Sequence, residues 1–413
     1  MLPLIRPLRE NLLLLLRHTV VLTRRFGAVH FVLGLSLVAS AAVVQTDVFV
    51  SGQDGYHTFR IPAVVHLGDG NLLAICEGRK NESSDTGDID LVSKRSTDGG
   101  RTWSTLQVVW DDGVNTCGNP CPVYDEITGT LWLFATHNLG EDTETDIIHK
   151  RGKGTRTPWV MYSSDGGRSW SEPRELTSSL KEPDWGWYAT GPGIGIQIKR
   201  GPHAGRLVIP AVHSYDDPAG AVRKGPYNYG SHAIYSDDHG ATWKLGGLIR
   251  PKVNECQVVE LADEPGRLQM NMRSYHGLHR RAESISDDGG ESWGTVTHDE
   301  TLIEPVCQAS ILRHRFSKSG TRGVLLFSNP GSETSRVRMT VRVSHDDGDT
   351  WPRALLLHEG FSAYSCLVSL DDQRAGCFYE RGHGVGRNAY ERITFARFSL
   401  EDLVQETPAK SNS

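Results

Sequence analysis

The chain has 413 residues, 23% charged and 38% hydrophobic, with a formal net charge of −6, a balance that excludes a disordered or collagen-like protein. Forty-four glycines and ten tryptophans against five methionines point to many tight turns with aromatic packing, which suits an all-β architecture. A net negative chain with no long basic run after residue 45 lacks the electrostatic footprint of a nucleic-acid binder.

Residues 1–45 are set apart from the fold. Arg6, Arg9, Arg17, Arg24 and Arg25 precede an apolar stretch from Phe26 to Val44 that contains Ala39-Ser40-Ala41. This reads as an export signal cleaved near Ala41 or Ala42, or, left uncleaved, as a membrane tether. The product would be secreted or periplasmic. All seven cysteines follow this segment, and an odd, widely scattered set is not a small disulfide scaffold. Cys117 and Cys121 in CGNPC are near enough to bridge, so a disulfide and two free thiols both stay open.

A repeated turn dominates the remainder. Ser-x-Asp-x-Gly-x-(Ser/Thr)-Trp occurs as STDGGRTW, SSDGGRSW, SDDHGATW, SDDGGESW and SHDDGDTW, with Trp103, Trp170, Trp243, Trp293 and Trp351 spaced by 67, 73, 50 and 58 residues. A mean period of 62 is long enough for a four-stranded sheet with its loops. In each copy Ser and Asp can bond backbone amides, glycine supplies a positive φ, and Trp packs beneath.

Short apolar strands alternate with these turns, opening at Arg60, Asn119, Gly191, Glu255, Cys307 and Tyr364. Six such openings predict a six-bladed β-propeller over 46–400, its sixth blade without the turn motif, its ring closed by a strand near Asp47 to Val50, and a polar tail over 401–413. Innermost strands of a propeller all run the same way, so their starting residues share one face. A cation, an amide, a carboxylate and a phenol would therefore ring one axial funnel.

At these residues the chain resembles the sialidases, the exo-α-neuraminidases, over nearly all of the part after the leader. The resemblance rests on Phe59-Arg60-Ile61-Pro62, the five turns (Asp boxes), Glu77-x-Arg79 followed by Ser84-Asp85, Glu255-Cys256-Gln257, Ser328-Asn329-Pro330 ahead of Arg336, and Ala363-Tyr364-Ser365. It implies that Arg60, Arg273 and Arg336 bind a substrate carboxylate, a task suited to planar guanidinium groups that stay charged. Arg338 shares the strand parity of Arg336 and competes for the third place. Glu380 would hold Arg60 in position, and Arg79 would contact a sugar hydroxyl.

Sialic acid carries a carboxylate on its anomeric carbon, which repels a carboxylate nucleophile, and the family uses a tyrosine instead. Tyr364 matches it, with Glu255 as the base that takes its proton. Asp85, in the loop NESSDTGD, would be the general acid. Asn119 and Pro120 would line the pocket for the N-acyl group. The acidic stretch GEDTETDIIH between His137 and His149 reads as a solvated loop near the site, and neither a metal nor a cofactor is expected. The implied activity is retaining hydrolysis of terminal α-linked sialic acids from glycans. The alternatives are a non-catalytic glycan-binding propeller and a same-fold enzyme that acts on another 2-keto sugar acid or transfers the sialyl group.

Overall fold

The computed structural model describes residues 18–21, 32–35, 43–218, 225–318, 322–383 and 388–405. The chain divides into two units, 1–41 and 42–413. In the first, His18–Val21 and Val32–Leu35 form an antiparallel pair with His18 opposite Leu35. The expected cleavage point at Ala41 or Ala42 lies outside the described residues.

The second unit is a six-bladed β-propeller, each blade a four-stranded antiparallel meander. Blade one runs Thr58–His66, Leu72–Arg79, Ile89–Ser96 and Gln107–Trp110. Blade six takes its first three strands from the end of the chain and its fourth from Val44–Val50, which pairs with Arg392–Ser399 and closes the ring. This closure explains why blade six has no Asp box. The motif occupies the turn between third and fourth strands, and in blade six those strands are not consecutive in sequence.

Both faces of the inner and second strands are covered, so their side chains alternate between two neighbours. In Leu72–Arg79, Leu73 and Ile75 enter the cluster shared with blade two, while Leu72, Ala74 and Cys76 enter the one shared with blade six. Among the described residues such an apolar cluster fills every interface between adjacent blades.

The Asp boxes fasten these interfaces. Ser96 donates its hydroxyl to Asp98 and accepts the Gly100 N–H, both at 2.8 Å, and Asp98 accepts the Thr102 N–H at 2.9 Å. In the second box the Ser169 hydroxyl, the Ser169 amide and the Ser163 hydroxyl hold the Asp165 carboxyl well below the usual range. Each box tryptophan then reaches the preceding blade. Trp243 of blade three meets Phe134 of blade two edge-on at 4.6 Å, and Trp103 of blade one meets Phe395 of blade six at 5.4 Å. Gly100, at φ 82°, admits that contact, since a Cβ there would lie 2.1 Å from the Phe395 ring.

Four inner strands carry a bulge at the same height, where two residues face one on the second strand. The extra residue falls after Arg60, after Gly118, after Val253 and after Ser362. A bulge reverses the side-chain alternation and bends the strand. That reversal accounts for the CGNPC thiols: Cys117 faces the blade-one interface and Cys121 the blade-three interface, so the two remain free and buried.

Several details depart from the sequence expectation. The inner strand of blade three is split into Tyr188–Thr190 and Ile196–Gln197 around the glycine-rich GPGIG. Tyr364 lies inside the 17-residue strand Arg353–Ser369, which leaves blade five as its outer strand and enters blade six as its inner one without a loop. Residues 401–405 are not a tail. Leu403 is fully buried between blades five and six, and Val404–Gln405 pairs with Arg353 and Ala354. Residues 406–413 lie outside the described residues.

Candidate active site

The four bulges open onto one cavity of about 220 Å³ at the axis of the ring. Each delivers a polar group: Arg60 from blade one, Asn119 from blade two, Asn254 and Glu255 from blade four, Tyr364 from blade six. Arg79 ends the second strand of blade one, Arg273 stands near the end of Leu268–Ser274, and Arg336 directly precedes Val337–Ser344. All three sit at the level where the inner strands begin.

The Tyr364 hydroxyl donates to Glu255 Oε1, and the other oxygen of Glu255 accepts Arg273 NH1 at 2.7 Å. Arg273 NH1 also lies 3.5 Å from the Tyr364 oxygen. The guanidinium groups of Arg60 and Arg336 stand 5.0 and 5.6 Å from the Tyr364 ring centre. The three arginines and the phenol thus converge. Arg338 does not join them: it is half-exposed and pairs with Glu359, and Arg336 is the one of the two that lines the cavity.

Glu380, fully buried, accepts Arg60 Nε at 2.9 Å. Arg60 is stacked at 4.0 Å on Tyr390, whose hydroxyl accepts Arg336 NH1 at 2.9 Å. Burial first, and then the Glu255 charge, push the Tyr364 phenol well above its usual pKa, with Arg273, Arg336 and Arg60 opposing them.

Asp85 stands at the cavity mouth with its side chain 61% exposed, 2.8 Å from Arg79 NH2 and 3.6 Å from Arg60 NH1. Desolvation raises its pKa, but the Arg79 and Arg60 charges outweigh that effect and hold the carboxyl below the usual range. Asp88 and Asp90 point elsewhere, to Lys80 at 3.1 Å each.

The arc of blades two and three supplies groups absent from the sequence reading. Arg156 is 1% exposed and donates to Thr136, Asn138 and Asn119 Oδ1 with Trp187 stacked at 4.2 Å. Burial lowers its pKa to about 10, against the opposing charges of Glu77, Asp85 and Glu144. Asn119 lines the cavity; Pro120, on the same bulge, is buried and does not, because the bulge directs only its neighbour inward. GEDTETDIIH is not a solvated loop. Glu144–Ile148 forms a short helix capped by Thr143, Ile147 and Ile148 are buried, and Glu144 lines the cavity. No spacing signal marked Arg156, Glu144 or Trp187, since each lies on a connection outside the repeated strands.

The fold and this cavity define a class, the propellers of Asp-box repeats with a polyarginine funnel. The profile of the BNR repeat-like domain matches residues 70–378. A sialidase of Micromonospora viridifaciens is 36% identical over 376 residues, covering 86% of this chain and 54% of its own length. An exo-alpha-sialidase of Aspergillus fumigatus is 32% identical, with 88% of this chain and 89% of its own covered. The solved structure of the Hadza microbial sialidase Hz136 superposes with a TM-score of 0.74 at 33% identity, over 87% of this chain and 69% of that one. The chain belongs to the sialidase family. It spans about half the length of the Micromonospora relative.

Proposed function

We propose that this propeller is an exo-α-sialidase that removes terminal α-linked sialic acids from glycans with retention of configuration, after export to the secreted or periplasmic space or tethered to a membrane. The observation that carries the reading is the Tyr364–Glu255 hydrogen-bonded pair beneath three guanidinium groups. The substrate carboxylate is bound by Arg60, Arg273 and Arg336. Glu380 occupies the Nε edge of Arg60 and leaves its NH1 edge for the ligand.

A phenol held above its usual pKa is not a standing phenolate, so its proton passes to Glu255 as the Tyr364 oxygen bonds to the anomeric carbon. The bond to the departing sugar breaks at the same centre, and Asp85 protonates the leaving oxygen. Water then attacks the glycosyl-tyrosine, its proton going to Asp85, and Glu255 returns the first proton to Tyr364. The single negative charge that the Tyr364–Glu255 pair shares as the proton moves between them stabilises the oxocarbenium-like transition states on either side of this intermediate.

Substrate entry also prepares the acid. In the free protein Arg60 helps to keep Asp85 ionised. A ligand carboxylate on Arg60 cancels that charge and raises the affinity of Asp85 for a proton. The test is hydrolysis of a fluorogenic sialoside by the purified protein and by Tyr364→Phe. Release by the parent and a loss of about 100-fold or more in the variant are expected; equal rates in the two proteins, or none in the parent, contradict the reading.

A further inference from the structure

Glu77 is a buried carboxylate at the cavity, 2% exposed, to which the chemistry above gives no task. Its Oε2 accepts both Arg79 Nε at 3.0 Å and Arg79 NH2 at 2.6 Å, and its Oε1 accepts the Asn119 N–H at 2.8 Å. The same Arg79 NH2 lies 2.8 Å from Asp85 Oδ1. One guanidinium is therefore divided between a fixed, buried carboxylate and the exposed one that serves as acid. The remaining Arg79 nitrogen is bound to the Ser83 carbonyl at 2.6 Å, so the cation cannot turn away from either partner.

We propose that Glu77 is a positioning residue that sets how readily Asp85 takes up its proton, by engaging the charge of Arg79 that would otherwise act on Asp85 alone. The charges that act most strongly on Asp85 are the cations Arg79, Arg60 and, further off, Arg156, while the carboxylates Glu77, Glu144 and Glu255 line the same cavity. Glu77 is the carboxylate in hydrogen-bond contact with the nearest of them. Three cations with no such counterweight would hold Asp85 ionised through the working pH range, and the leaving sugar would depart without a proton. A ligand carboxylate on Arg60 removes one of these charges, and Glu77 offsets a second.

The inference rests on the reading of Asp85 as acid, and the experiment separates the two. The measurement is the pH profile of kcat/KM, which reports steps up to departure of the leaving group, for a natural sialoside and for an aryl sialoside whose leaving group needs no proton. In Glu77→Gln the basic limb for the natural substrate is expected to move down by about one pH unit. Above that limb its kcat/KM should fall about tenfold, with the aryl substrate nearly unchanged. Glu77→Asp keeps the charge but draws it back, and should move the limb the same way by less; it also serves if the glutamine variant does not fold. A basic limb at the parental pH in both variants, or an equal loss on both substrates, makes Glu77 a structural brace and overturns the proposal. If Asp85→Ala hydrolyses the natural sialoside at the parental rate, the acid assignment itself fails.

Discussion

Glu380 binds Arg60 and Tyr364 with the two oxygens of one carboxylate. Oε1 accepts Arg60 Nε and the Ile61 N–H, each at 2.9 Å, and Oε2 accepts the Tyr364 N–H at 3.0 Å. Arg60 belongs to blade one and the other two residues to blade six, so this contact spans the seam at which the ring closes. Glu380→Gln keeps the shape but leaves a buried guanidinium without its counter-charge. It should cost about 3 kcal/mol of stability and raise KM for a sialoside by at least about tenfold. Thermal unfolding checks the first effect and steady-state kinetics the second; a variant with parental stability and KM contradicts the arrangement.

Arg336 and Arg338 share parity in sequence yet differ in surroundings. Arg336 faces the cavity and bonds Tyr390, while Arg338 pairs with Glu359 near the surface. Arg336→Ala should raise KM by about 10- to 100-fold, the worth of one charge-assisted contact to a carboxylate. Arg338→Ala should stay within about twofold of the parent. Steady-state kinetics on one sialoside decide between them, and an inverted pattern would move the third carboxylate contact to Arg338.

Behind the blade-three wall runs a buried chain from Arg250 through His213 and His232 to Tyr188, with contacts of 2.9, 2.9 and 2.8 Å. A guanidinium only donates, so His213 accepts at Nε2 and must carry its proton on Nδ1. That proton is given to His232 Nδ1, and His232 Nε2–H then points at Tyr188. The chain requires two neutral imidazoles. Burial, followed by the neighbouring charges of His232 and Arg250, lowers His213 well below its usual pKa, and burial, followed by Arg250, lowers His232 to about 3.

The sign follows from linkage. Near pH 6.5 and below, the unfolded chain binds protons that the folded pair refuses, so the stability present above pH 6.5 is lost as pH falls toward 3. The slope approaches about 1.4 kcal/mol per pH unit for each histidine. Denaturant melts from pH 7 to pH 4 should show this decline, and His213→Phe should flatten it even if the variant is less stable overall. An equally steep decline in that variant rules out the histidine pair as its source.

How much of this was legible beforehand follows from which features repeat. The Asp boxes recur because blades one to five each join their third and fourth strands with the same turn and set the same tryptophan against the preceding blade, so blade number and ring closure could be counted. Arg60, Glu255 and Tyr364 were visible as polar residues on inner strands. The bulges that turn them inward were not, since a bulge is a register relation between two strands and neither strand shows it alone. Arg156, Trp187 and Glu144 come from connections that differ from blade to blade, where no period can mark a residue. The split inner strand of blade three and the unbroken passage through Tyr364 were hidden for the same reason.

The most direct test of the account is to trap the intermediate. A sialosyl fluoride carrying a second, electron-withdrawing fluorine slows both steps, and its fluoride leaving group departs without a proton from Asp85. Acid quench, proteolysis and mass spectrometry of the peptides should find one glycosyl group on Tyr364. Turnover without an adduct on Tyr364, or an adduct on Glu255, would contradict the tyrosine nucleophile.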